Sequence, residues 1–154
     1  MDSVGIAESV EKPTLHVANA VLYRPDFKGY SFLLEHQDGQ YHLPCWEVPY
    51  DQWGLEDHLK QLVRERFGFE DLQSAPWSKW RSGYWSPNGE DAYFESIAYL
   101  FGTNSDKSPE GYVWTPMKDV RRSLKGQRST EYNLFLNVLN KGGLPYRSQQ
   151  WDGY

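Results

Sequence analysis

The stretch Ala92 to Phe101, AYFESIAYLF, carries large apolar side chains at both odd and even positions. In an extended strand, successive side chains point to opposite faces. A strand apolar on both faces has to be covered on both, so it belongs in the middle of a sheet. That requirement leaves out an open sheet with one wet face and asks for a layered architecture. The rest of the chain can supply the layers. Leu15–Arg24 and Tyr30–His36 are β-rich, with a turn at Pro25-Asp26. Asp38-Gly39 reads as a hairpin turn into Tyr41–Leu43. Pro44–Gly54 reads as irregular and is rich in large rings. Leu55–Phe67 has helical spacing, with Leu55, Leu59, Leu62, Val63 and Phe67 on one stripe and Gly68 as the stop. A strand over Pro76–Trp85 and a turn at Ser86-Pro87-Asn88-Gly89 precede the central strand. Thr115-Pro116 reads as the cap and first position of a short helix to about Leu124. Ser129 caps a last helix, Glu131–Asn140, with Leu134, Phe135, Val138 and Leu139 inward and Gly142 ending it. The expected fold class is α+β, a three-layer sandwich with a mixed β-sheet between helices. Residues 1–13 read as a flexible arm, 14–141 as one domain and 142–154 as a tail.

Composition narrows the function classes. The 16 Lys and Arg are outnumbered by 21 Asp and Glu, and the formal net charge is −5. A general nucleic-acid or anionic-membrane binder needs a basic face, so neither partner is expected. One cysteine excludes an internal disulfide framework and any Cys-rich zinc site. No apolar run approaches the ~20 residues of a membrane span. The acidic, polar first fourteen residues do not read as a signal peptide. A cytoplasmic domain is the expectation. Aromatic residues are abundant: 7 Trp, 11 Tyr and 7 Phe. Several of these rings fall in loops and at strand ends, where core packing explains them less well than a ring-lined pocket does.

Residues 42–69 carry a resemblance. The segment HLPCWEV, a loop, a helix ending in Gly68 and then Phe69 resemble the signature region of Nudix hydrolases. The strands before and after, and GYVWTP leading into a helix, suit the same family, over roughly residues 14 to 141. The resemblance implies a Nudix-like α/β/α sandwich. In that family the helix and loop gather several carboxylates around Mg²⁺ or Mn²⁺. Hard divalent cations take oxygen ligands, and the bound metals polarise a diphosphate for attack by water.

Aligned on Gly68, Val63 matches the signature's aliphatic position, Glu65 the first of its Glu-Glu pair and Phe69 its hydrophobic end. The departures fall on the chemistry. Arg66 stands at the second Glu, Leu62 at the Glu after the signature Arg, and Gln61 at that Arg. Cys45 and Trp46 stand where Gly-Gly follows Leu-Pro, and Trp53 stands near the loop Glu. One helix carboxylate is left, with a cation beside it that would repel a divalent metal. No metal and no cofactor is therefore expected.

Replacing carboxylates by Leu and Trp makes such a site apolar. The expected ligand is a largely apolar small molecule, held by His42, Cys45, Trp46, Tyr50, Trp53, Gln61 and Leu62. Glu65 is the candidate acid or base, with His58 on the same helix face to share the proton work. Glu95, set among apolar neighbours in the central strand, is either a satisfied core ion pair or a catalytic acid. The expected function is a metal-independent, non-hydrolytic enzyme of small-molecule metabolism, an isomerase or cyclase. Holding one near-attack conformer for an intramolecular ring closure, such as a pericyclic reaction, would need few charged groups. Two alternatives stay open: a residual Mg²⁺- or Mn²⁺-dependent diphosphate hydrolase recruiting Glu47, Asp51 or Glu95, and an inactive ligand- or protein-binding module. The cluster Lys118, Arg121, Arg122, Lys125 and Arg128 reads as a solvated helix face.

Overall fold

A computed structural model describes residues 14–26, 29–48, 55–81, 93–125 and 130–142. Along the chain these form β1 (Thr14–Asp26), β2 (Gly29–Gln37), β3 (Gln40–His42), β4 (Cys45–Val48), α1 (Leu55–Phe67), β5 (Gln73–Arg81), β6 (Tyr93–Gly102), β7 (Tyr112–Pro116), α2 (Met117–Ser123) and α3 (Thr130–Gly142). The expected arm, tail and Ser129 cap, the turn at Ser86–Gly89, Arg128, and the ring-bearing Tyr50 and Trp53 lie outside the described residues.

The seven described strands make one mixed sheet. Its centre is the long parallel pair β1–β6, in register from Thr14↔Tyr93 to Tyr23↔Gly102. β5 adds to β6 antiparallel, and β2 to β1 at the Tyr23–Asp26 end. Beyond that end β1 and β2 part, and the β3–β4 segment fills the opening. β3 pairs with β2, with Glu35 opposite His42. β4 pairs with β1, with Ala18 opposite Trp46. β7 lies on the other side of β2, placing Tyr112 opposite Glu35 and Trp114 opposite Leu33.

The two-faced strand does what its pattern requires. Ile97, Tyr99 and Phe101 of β6 join the core beneath α1, with Ala18, Ala20 and Leu22 of β1 and Leu55, Leu59, Val63 and Phe67 of the helix. Ala98 and Leu100 face the opposite core, with Phe32, Leu34, Met117, Val120, Leu134, Phe135, Val138 and Leu139. The two alanines of β1 leave room for α1 to approach the sheet, and Phe32 meets Phe135 edge to face at 4.8 Å. Helices therefore cover both faces of a mixed sheet, as the α+β sandwich reading expects.

Local chemistry fixes the boundaries that matter for the site. Asp38 and Gly39 both take positive φ, 55° and 75°, as a two-residue hairpin turn requires. Gly68 has φ 75°, and its N–H donates to Arg64 O at 2.8 Å, which stops α1. At Gly102 a Cβ would lie 2.6 Å from the Tyr23 ring, so a larger residue there would make that ring move.

Pro25-Asp26, expected to be a turn, instead extends β1, with Pro25 opposite Tyr30 and Asp26 opposite Gly29. Two further segments differ from the sequence reading. Cys45–Val48, expected to be irregular, is β4. Pro44 interrupts the strand after β3, but its carbonyl accepts from Ala20 N–H at 2.9 Å and guides the chain onto β1. Thr115-Pro116 closes β7, and Pro116 rather than Thr115 is the N-cap position of α2, with no side-chain cap bond, so the helix starts one residue later than read. The Thr115 hydroxyl is buried and donates to Val113 O, and α2 begins at Met117. In both places long-range strand pairing overrides the local signal.

Candidate functional site

The resemblance directs attention to the outer face and C-terminal end of α1. Leu62 is half-buried against the core beneath the helix. Glu65 is exposed, and its Oε2 accepts from Gln61 Nε2 at 3.1 Å one turn earlier. His58 is exposed on the same helix. It lies two turns from Glu65, about 10 Å by helical rise, so the two do not pass a proton directly.

Arg66 does the most at this place. Its guanidinium lies over the Trp46 ring, 4.1 Å from the centroid, and 6.0 Å from that of Phe67. Its Nη1 donates to the Tyr112 hydroxyl at 3.2 Å. The cation thus bridges α1, β4 and β7, held by a ring face on one side and a phenol oxygen on the other. Beneath it the rings form a continuous seam. Phe67 meets Tyr112 edge to face at 4.7 Å, Trp46 at 6.3 Å and Phe69 at 5.5 Å. Phe69 continues to Trp114 at 5.9 Å. Trp114 is in turn covered by Arg24 at 4.3 Å, and its indole N–H donates to Lys107 O at 2.8 Å.

The neighbouring corner, where β3 ends, carries a second arrangement. His42 Nδ1 lies 2.9 Å from Glu131 Oε1 in the first turn of α3, and Leu43 N–H donates to Glu131 Oε2 at 2.7 Å. Cys45 stands between the two arrangements. Its thiol is pushed above the ordinary thiol range, first by desolvation, then by the carboxylates of Glu131 and Glu35, with Arg66 pulling the other way. A thiol so placed stays protonated at neutral pH and is not an activated nucleophile.

Glu95 lies apart from these residues. It pairs with His16 on the parallel neighbour β1, Nδ1 to Oε1 at 3.0 Å, with side chains 17% and 11% exposed for His16 and Glu95. The contact is a largely buried His16–Glu95 hydrogen bond. In the basic cluster, Arg122 pairs with Asp119 at 2.6 Å. The structure therefore brings Cys45, Trp46, Leu62 and Arg66 into one neighbourhood, sets Gln61 and Glu65 on its outer helix face and His42 at its β3 end, and leaves Glu95 elsewhere. Sequence reasoning missed Tyr112, Glu35 and Glu131 as members. Only strand register and the docking of α3 bring them here, although GYVWTP had marked the segment of Tyr112.

The metal chemistry of the resemblance does not fit these residues. Leu62 has no donor, Glu65 is engaged by Gln61, and Arg66 puts a fixed positive charge at the third position. Among the described residues, no group of three or more His, Cys, Asp or Glu could hold a metal ion. At the signature's own helix positions only Glu65 is left as a carboxylate.

No protein-family model matches the chain, and no curated protein does. Solved structures do. An Ap4A hydrolase of C. elegans, as a binary complex, superposes with a TM-score of 0.61 at 14% identity, over 82% of this chain and 95% of that one. The NUDIX domain of Shewanella oneidensis NrtR, complexed with ADP ribose, gives 0.60 at 14%, over 91% and 97%. A possible asymmetric diadenosine tetraphosphate hydrolase from Jonesia denitrificans gives 0.60 at 21%, over 86% and 97%. Likeness at such identities is likeness of fold. The chain has the Nudix fold, in a divergent, Nudix-like form. Among the described residues, no helix is long and apolar enough to cross a membrane.

Proposed function

We propose that this protein is a metal-independent, non-hydrolytic enzyme of small-molecule metabolism, an isomerase or cyclase. Its substrate would be a largely apolar molecule laid against the partly exposed rings of Trp46 and Tyr112. One observation carries the reading. At the helix position where the Nudix signature has a metal-ligating Glu, Arg66 lies over the Trp46 ring and donates to Tyr112.

Three physical consequences support it. A diphosphate carries several negative charges, and one guanidinium beside an unopposed Glu65 neutralises them poorly. Ring faces instead favour apolar or unsaturated surface, with edge and face contacts that select orientation. A guanidinium already held by two partners loses little entropy when it binds a single developing oxyanion, so it is preorganised for that charge. An intramolecular rearrangement asks for this combination of a shaped apolar surface, one fixed cation and no external nucleophile.

The test is product release from nucleoside, sugar and prenyl diphosphates, with Mg²⁺, with Mn²⁺ and with chelator. The expected result is no metal-dependent turnover by folded wild-type protein, together with quenching of tryptophan fluorescence by an apolar ketone such as 2-tetralone. Metal-dependent hydrolysis that disappears in Glu65→Gln would overturn the proposal and establish a diphosphate hydrolase.

A further inference from the structure

The corner beside the seam holds a pair that the resemblance does not call for. His42 ends β3, and Glu131 begins α3. Glu131 is anchored twice, by His42 Nδ1 at 2.9 Å and by Leu43 N–H at 2.7 Å. A carboxylate can only accept, so the neutral imidazole places its proton on Nδ1 and leaves the Nε2 lone pair outward. The His42 side chain is 45% exposed and that of Glu131 27%, so the ring's outer edge is accessible. The backbone bond to Leu43 prevents Glu131 from following any other partner, which fixes the ring's tautomer and aim. The first turn of a helix is also a favourable place for a carboxylate.

Strand register ties this pair to Arg66. His42 sits opposite Glu35 on β2, and Glu35 sits opposite Tyr112 on β7. Adjacent strands lie about 5 Å apart, so Tyr112 starts about 10 Å from His42 and its hydroxyl is the one that Arg66 holds. Contact and register thus set the His42–Glu131 pair two strands from Tyr112, whose hydroxyl accepts from Arg66.

We infer that His42, oriented by Glu131, is the general base for an enolisable carbonyl substrate whose oxygen is held by Arg66. This rests on the apolar-substrate reading and names its substrate class: a ketone or enone with an acidic α C–H. His42 Nε2 takes the α-proton. The C–H electron pair becomes the new C=C bond, the carbonyl π pair moves onto oxygen, and the guanidinium holds the resulting enolate. Imidazolium Nε2–H then returns the proton to the α or the conjugated γ carbon, giving the starting ketone or its isomer. Atoms and electrons balance without an oxidant, a reductant or a second substrate. Glu131 is a positioning residue, since it acts only through the ring. The charged or titratable groups set against His42 by contact or register are Glu131 of α3 and Glu35 of β2; Cys45 follows it by three residues on β4, and Arg66 of α1 is reached through Tyr112.

The experiment follows deuterium uptake at C1 of 2-tetralone in D₂O by proton NMR, with probe binding measured separately by tryptophan fluorescence. Wild-type protein is expected to accelerate exchange above buffer. His42→Gln should lower the catalysed rate by roughly 10²-fold or more with probe affinity unchanged. Glu131→Gln should lower it at least roughly tenfold. It should also move the His42 ring proton to Nε2 in long-range ¹H–¹⁵N spectra, because an amide can donate where the carboxylate could not. Arg66→Lys should keep part of the rate that Arg66→Ala loses. Bound probe with exchange that is equal in wild type and His42→Gln overturns the dyad while the apolar-site reading stands. Absence of binding overturns both. A melting temperature for His42→Gln close to wild type shows that the lost rate is not lost folding.

Discussion

The contact between Arg66 and Trp46 can be isolated by a double-mutant cycle, and its size follows from the geometry. The guanidinium carbon is 4.1 Å from the Trp46 centroid, well inside the ~6 Å reach of a cation–π interaction. Arg66 is exposed and Trp46 half-buried, so water screens part of the attraction. The coupling between the two side chains is then about 0.5–1 kcal/mol. Arg66→Ala alone also removes the hydrogen bond to Tyr112, worth about 0.5–1 kcal/mol where solvent competes. Its total cost is therefore about 1–2 kcal/mol. Trp46→Leu keeps apolar bulk against Phe67 but removes the π face, so it costs about 1 kcal/mol or slightly more. Urea unfolding of wild type, both single variants and the double variant gives the coupling directly. The double variant should be more stable than the sum of the single losses predicts, by about 0.5–1 kcal/mol. Independent sites add to within about 0.3–0.5 kcal/mol. A coupling indistinguishable from zero would show that Arg66 does not occupy the ring face, and the charge assignment of the site would fail with it.

Three further expectations follow from other contacts. Leu62→Glu with Arg66→Glu returns carboxylates at the i, i+3 and i+4 positions around Glu65 and should create Mn²⁺ binding, visible by paramagnetic resonance, that wild type lacks; no gain of binding would refute the alignment on Gly68. The Cys45 thiol sits above its ordinary range, so iodoacetamide should react slowly at neutral pH, faster in Glu131→Gln and more slowly in Arg66→Ala; shifts in the same direction for both variants would refute the placement. The Asp71 carboxyl is held below its usual range by the Thr103 hydroxyl and then by Asn104 N–H at 2.7 Å. A depressed folded-state value stabilises above the unfolded-state range and is lost as pH falls through the folded one, so Asp71→Asn should cost at most about 1 kcal/mol near neutral pH, given its exposure, and the gap should close in acid.

The parts of the fold legible in the sequence are those whose signal is local. The α1 boundaries were readable because the apolar stripe and the stop at Gly68 both lie within the helix's own turns. The hairpin at Asp38-Gly39 was readable for the same reason, since only such residues take two positive φ values easily. The central place of β6 followed from its apolar residues on both faces. Strands β4 and β7 were not legible. Pro44 and Thr115-Pro116 say "stop" to a local reading, and only pairing with β1 and β2 makes strands of their neighbours. The site divides along the same line. Trp46, Leu62 and Arg66 were found because a family pattern numbers them, whereas Glu131 lies 89 residues from His42 and Tyr112 lies 46 from Arg66. No spacing rule connects such pairs; the docking of α3 and the register of β7 do.

The same scaffold with its charges rearranged has different requirements. Three glutamates at i, i+3 and i+4 of one helix repel one another, and a bound divalent ion both relieves the repulsion and supplies the chemistry. With Leu62, Glu65 and Arg66 at those positions the repulsion is gone, so α1 needs no ion to be stable. The positive charge has moved from a dissociable metal onto the chain, where Trp46 and Tyr112 fix its position. A guanidinium is monovalent, has no open coordination position for water and does not lower a water's pKa as a metal does. What it can do is meet one oxyanion with planar, directed donors. The carbonyl rearrangement proposed above draws on that property, because in it a single oxygen gains charge and no external nucleophile has to be activated.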